Sequence, residues 1–319
     1  MNRRNFLQSG LLILGTSETA SAAVSAKPLR GIFPIAQTPF TADDKLDLEA
    51  LAEEVRFIHR GKVHGFVWPQ LASEWDTLTE RERLDGAETV ASTGKKLTPA
   101  IVLGVQAADI AGALRYARHA EKVGADAVIS LPPSWTKDPA AILDYYKQLG
   151  SATRLPLFVQ AVGDMSVELI LRMYREIPTL RYVKDEAGSP LHRFAALNSE
   201  THGDLKIFTG GHGKTLIDEM IRGFSGTMPA ASFADLYASA WNLWQAGHER
   251  EAVEAFGAAA ILINEISVYP EGMKFILCER GVFRTPLLRQ RQKGQPGLDE
   301  DGKRAIRRLL ELIKPRLVA

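Results

Sequence analysis

The chain has 319 residues, 45% of them hydrophobic, with 39 lysines and arginines against 38 aspartates and glutamates. A formal charge of +1 leaves no basic stripe to serve as a nucleic-acid footprint, and the apolar content suits a large core rather than a disordered chain. A single cysteine, Cys278, excludes an internal disulfide.

Residues 1–26 read as an export signal. Arg3-Arg4 followed by Phe6-Leu7 resembles a twin-arginine pattern, and Leu11-Leu12-Ile13-Leu14 is too short to span a bilayer. Small residues offer cleavage points after Ala22 and after Ala26. The expected location is therefore the periplasm, with no membrane contact in the mature form.

Eight short apolar runs bounded by glycine or proline follow. They lie near Ile32–Ala36, Gly65–Pro69, Thr98–Gly104, Ala127–Leu131, Leu157–Ala161, Leu180–Lys184, Lys206–Thr209 and Gly226–Pro229. Such runs suit strands buried on both faces of a parallel sheet. Helical periodicities alternate with them, among them Leu48-Leu51-Val55-Ile58 behind the cap Asp47, and Ile110-Leu114-Ala117-Ala120 ending at Gly124. Thr79 with Glu82 forms a capping-box pattern. The series predicts an α/β (β/α)₈ TIM barrel over residues 27–319, read as one domain with a C-terminal helical appendage from about 232.

Lys184 closes the sixth strand, where barrel enzymes collect their chemistry. A buried neutral amine there is what Schiff-base catalysis on a ketone requires. The other reading is an ion pair with Asp185 or Glu186. Strand alternation keeps Lys184 and Asp185 on opposite faces.

Several segments in order carry a family resemblance: Gly31–Phe40, Glu74 with Leu78–Arg83, Gly124–Val128, Val183–Glu186, Phe208–Gly211, Gly223–Thr227 and Lys274–Gly281. The chain resembles the dihydrodipicolinate synthase and N-acetylneuraminate lyase family of class I aldolase-like barrels. The resemblance implies that Lys184 condenses with a 2-keto acid, that no metal or other cofactor is needed, and that the chain assembles as a homo-tetramer or dimer.

Three departures bear on the activity. The family's Gly-Thr-Thr-Gly-Glu loop is here Gln70-Leu71-Ala72-Ser73-Glu74, and leucine and alanine side chains cannot hydrogen-bond a carboxylate. Ser73, Gln70 or backbone N–H groups are the candidate replacements. Ser134 or Trp135 stands where the family's proton-shuttling tyrosine should fall; an indole cannot act as an acid or base, which leaves Ser134, given a partner, as the candidate catalytic proton relay. Gln160 replaces part of a Tyr-Asn-x-Pro sequence and is a candidate substrate contact.

Trp68, Trp75 and Trp135 are expected at the mouth, either binding an apolar substrate tail or packing the rim. Glu74 is read as an acid–base group or, in preference, as a loop-shaping residue. The glycines Gly210-Gly211 suit an anionic group, His212 suits proton transfer, and Met228 with Ala230 should lie near the pocket. The expected function is a Schiff-base-forming lyase, of aldolase or dehydratase type, acting through Lys184 on a 2-keto acid or related carbonyl. Dihydrodipicolinate synthesis itself is not expected, since the carboxylate-binding threonines are gone. The alternative is an exported, non-catalytic barrel that binds a small molecule. No cluster of histidines and aspartates suggests a metal hydrolase.

Overall fold

The computed structural model describes residues 27–268, 271–289 and 297–319. The expected export signal, residues 1–26, lies outside the described residues.

The strands β1 (Gly31–Ile32), β2 (Gly65–Trp68), β3 (Ala100–Gly104), β4 (Ala127–Ser130), β5 (Leu157–Ala161), β6 (Leu180–Asp185), β7 (Lys206–Thr209) and β8 (Gly226–Thr227) form one parallel sheet. It curls into a (β/α)₈ barrel because β1 pairs with β8, while Ile35 bridges both Val67 and Ala230. The first strand is shorter than its apolar run because Pro34 has no N–H to give to a ladder. Pairing nevertheless persists beyond it, with Phe33 N donating to Thr227 O at 2.9 Å and Ile35 N to Pro229 O at 2.8 Å.

Helices α1 (Leu48–Arg60), α2 (Glu80–Gly94), α3 (Ile110–Val123), α4 (Pro139–Ala152), α5 (Val167–Glu176), α6 (Pro190–Glu200), α7 (Leu216–Arg222) and α8 (Ala234–Gln245) alternate with the strands. Their starts are set locally. Asp47 accepts from Ala50 N at 3.0 Å, Asp109 from Gly112 N at 2.7 Å, and Thr79 exchanges hydrogen bonds with Glu82. The helix α8 packs on β1 and so takes the eighth place in the ring. Beyond it lie α9 (Glu249–Val268), α10 (Gly272–Glu279) and α11 (Glu300–Ile313), the first of them packed along α8. No helix among the described residues is long and apolar enough to cross a membrane.

The strands divide their side chains by alternation. Phe33, Val67, Val102, Ile129, Phe158 and Phe208 fill the barrel interior. Trp68, Leu103, Val128, Val159, Val183 and Ile207 face out and join the core beneath the helices. Phe158, Tyr182 and Phe208 form a floor of aromatic rings, Phe158 stacked on Tyr182 with centroids 4.4 Å apart and Phe208 edge-on to Phe158. Above that floor the barrel opens at the C-terminal ends of its strands.

Candidate active site

Lys184 stands two residues above Tyr182 on β6, so pleating aims it into the barrel, and only 4% of it is exposed. Asp185 points the other way and is held by Arg193 at 2.9 Å under the helices. Glu186 follows just past the strand's end. Its N–H donates to Ala161 O at 2.8 Å, which prolongs the strand pairing and returns the Glu186 side chain to the inner face.

The result is a close pair. Glu186 Oε2 lies 2.8 Å from Lys184 Nζ and accepts from Gln160 Nε2 at 2.6 Å. Glu186 Oε1 accepts from Gly211 N at 3.0 Å. Burial alone would raise this carboxyl, but the Lys184 charge and the three donors together hold it below the usual glutamate value. Gln160 is paired across the sheet with Lys184 and is wholly buried; its amide oxygen has no hydrogen-bond partner among the described residues.

Gly210 makes the arrangement possible. A Cβ at that position would fall 1.9 Å from Glu186 Oε1 and 2.7 Å from Lys184 Cε. The backbone therefore passes directly over the pair, a passage that only a residue without a side chain permits.

A cavity of about 190 Å³ opens above Lys184 and Glu186. Gly211 and His212 form one side of it. The remaining wall is apolar: Ile35, Leu71, Ala72, Met228, Ala230 and Met273. His212 sits in a left-handed turn with φ of 61°. Burial, seconded by the nearby Lys214 and Lys184 charges, lowers its imidazole below the usual histidine value, while Glu186 acts the other way. Among the described residues no group of three or more histidines, cysteines and acids is placed to hold a metal ion.

Of the residues expected here from sequence, Lys184, Gly211, His212, Met228 and Ala230 line the cavity, and Gln160 and Gly210 touch the ion pair. The others lie elsewhere. Ser73 is wholly buried, its hydroxyl donating to Ala36 O at 2.5 Å and accepting from Gln70 N at 3.0 Å. Gln70 is also buried and donates to Gln106 at 3.1 Å. Neither therefore presents its side chain to the cavity in place of the threonines. Glu74, in a left-handed turn with φ of 54°, is clasped by Lys274 and by the Arg289 N–H at 2.8 Å, a loop-shaping arrangement.

Trp68 is buried outside the barrel against Gly86 of α2, because its neighbour Val67 takes the inward direction. Trp75 lies beside Arg83, 6.0 Å from its guanidinium. Trp135 is 48% exposed and rests edge-on against Tyr145, with ring centroids 5.7 Å apart. Ser134 is exposed beside it. None of these four borders the cavity. Among the described residues no tyrosine borders the cavity either: Tyr145 and Tyr146 of α4 bond Ser130 on the outer face of β4, at 2.7 and 2.8 Å.

Glu186 was legible in the sequence only as a possible ionic partner of Lys184, and the structure puts it in the cavity. Met273 arrives from α10, far along the chain, and nothing in its own segment announces that destination.

The sequence pattern of the dihydrodipicolinate synthetase family matches residues 28–310. An uncharacterized DapA-like lyase of Pyrococcus abyssi is 25% identical over 300 residues, covering 90% of this chain and all of that one. A 4-hydroxy-tetrahydrodipicolinate synthase of Methanosarcina acetivorans is 28% identical over 192 residues, or 58% of this chain and 65% of that protein. Among solved structures, YagE of E. coli K12, a prophage protein of the dihydrodipicolinic acid synthase family in complex with pyruvate, superposes with a TM-score of 0.81. It is 18% identical and covers 90% of this chain and 99% of its own. Dihydrodipicolinate synthase from Rhodopseudomonas palustris superposes at 0.80 with 23% identity, covering 92% of this chain and 100% of its own. The match extends over nearly all the described barrel, and this chain belongs to the dihydrodipicolinate synthetase family.

Proposed function

We propose that this chain is a Schiff-base-forming lyase of the aldolase or dehydratase kind, acting on a 2-keto acid or related carbonyl compound with Lys184 as nucleophile. The observation that carries the reading is a buried lysine on the inner face of β6, opening into a cavity at the C-terminal ends of the strands. An imine on Lys184 would act as an electron sink, permitting a C–C bond or a leaving group two carbons away to break. The apolar wall of Leu71, Ala72, Met228 and Met273 favours a small substrate with a hydrocarbon portion. Export through a twin-arginine route is part of the same proposal, tested by fractionating cells that carry the full chain or its Arg3→Lys/Arg4→Lys variant.

Borohydride reduction in the presence of pyruvate and a panel of 2-keto acids, aldehydes and ketones, read by peptide mass spectrometry, tests the chemistry. A reduced adduct on the Lys184 peptide, absent from Lys184→Ala, is the expected result. The exposure of Ser134 and Trp135 favours a second reading, a barrel that binds a carbonyl compound without turning it over. Saturable binding by calorimetry with no adduct on any lysine would select that reading.

A further inference from the structure

We propose that Glu186 is a catalytic residue, the group that carries protons to and from the Lys184 nitrogen during imine formation; this rests on the Schiff-base reading above. Forming an imine moves several protons at one nitrogen and one oxygen, so a proton carrier must reach both. Ser134 is exposed and does not border the cavity, and the tyrosine hydroxyls of α4 are committed on the far side of β4. Among the described residues, two titratable side chains other than Lys184 border the cavity, Glu186 and His212. Of these Glu186 already touches the reacting nitrogen, at 2.8 Å.

The carboxylate is also prepared for the task. Gln160 and the Gly211 N–H fix both its oxygens, and Gly210 leaves the space it occupies. Hydrogen-bond contact with the atom that gains and loses protons is the geometric requirement for acid–base catalysis.

Lys184 begins as an ammonium with three protons beside the Glu186 carboxylate. One proton passes from Nζ to Glu186, and the freed lone pair attacks the carbonyl carbon, sending the C=O π pair onto oxygen. Glu186 gives its proton to that oxygen and takes a second from nitrogen, leaving a neutral carbinolamine. The same proton then goes to the hydroxyl, the C–O bond breaks, and water leaves as the nitrogen lone pair forms the iminium. Two of the three protons depart in the water, one remains on nitrogen, and Glu186 ends as a carboxylate.

An ion-pair role and a proton-transfer role predict opposite results for Glu186→Gln. Removing the negative charge removes what favours the ammonium form, so a merely ionic partner predicts trapping at the wild-type rate or faster. A proton carrier predicts slower trapping, by roughly 10²- to 10⁴-fold. The experiment measures the rate of borohydride-trapped adduct on the Lys184 peptide in wild type, Glu186→Gln and Glu186→Ala, with pyruvate and a simple aldehyde as probes. The expected outcome is a slowed rate in both variants, an adduct still on Lys184 at long times, and partial recovery of Glu186→Ala by added formate. Wild-type rates in a folded Glu186→Gln protein would overturn the role of Glu186 and leave Lys184 as nucleophile. Slowing that formate does not relieve would also overturn it, in favour of a positional contribution. No adduct in wild type with any probe would overturn both readings together.

Discussion

Lys274 of α10 reaches back 200 residues to grip Glu74, the residue that ends the Leu71–Ser73 turn. The contact ties two walls of the cavity together, since Leu71 and Ala72 come from that turn and Met273 from α10. Lys274 is 1% exposed, donates also to Leu287 O at 2.7 Å, and lies 4.5 Å above the Phe40 ring. Burial pulls its amine below the usual lysine value although Glu74 acts the other way.

Removing one member of such a buried pair leaves the other charge poorly compensated, which costs about 3 kcal/mol or more. Lys274→Ala should therefore lower the urea midpoint markedly. It should also weaken carbonyl binding in the protein that remains folded, because the turn and the helix are no longer held in register. An unchanged midpoint would contradict the assignment.

Gly210→Ala tests the close passage over the ion pair. A Cβ there would meet the Glu186 carboxylate and the Lys184 side chain, so the added methyl acts on the pair by steric contact. We expect near-normal thermal stability with trapping on Lys184 slowed by about 10²-fold, the scale on which small misplacements of reacting groups act. Circular dichroism and the borohydride assay together separate the two effects.

Leu71→Thr/Ala72→Thr should restore hydroxyl donors at the cavity wall. A hydrogen bond to a charged group contributes about 1.5–3 kcal/mol. The KM for pyruvate in the trapping reaction should then fall about tenfold or more, with little change for an uncharged aldehyde. Equal changes for both probes would mean that the turn does not meet the carboxylate.

Glu219 of α7 gives the stability a pH dependence. Burial pushes its carboxyl from 4.5 up to about 7, against the pull of hydroxyls on Thr215, Thr209 and Thr227. The folded protein then binds this proton more tightly than the unfolded chain does. Its contribution is complete below about pH 4.5 and is lost as pH rises through about 7. The loss amounts to about 3 kcal/mol. Glu219→Gln should remove this slope, so that the variant gains on wild type between pH 4.5 and 8 in denaturant titrations. A constant difference across that range would count against the shift.

Most of the barrel was legible because a strand covered on both faces must be apolar throughout, and glycine or proline marks its ends. Local rules also placed Asp47, Thr79 and Gly124 at helix termini. Alternation settled the opposite directions of Lys184 and Asp185. Applied to β2, the same alternation sends Trp68 outward once Val67 is inward, but that choice needs the barrel's axis, which one strand does not reveal. The loops resisted for a different reason. No period governs where Ser134, Trp135 or Glu74 point, and the partners that fix Glu74 come from beyond residue 270.

Because Lys184 and Glu186 belong to one strand and its immediate continuation, their separation is written in the pleat of a single chain segment. Much of the wall that a substrate meets is assembled instead from a turn after β2, the end of β8 and a distant helix. Change in those three places can alter which molecule is admitted without disturbing the spacing of amine and acid. On the proposed chemistry, selection and reaction are thus free to diverge in this barrel, one through its borrowed wall and the other through Lys184 and a residue just past the end of its strand.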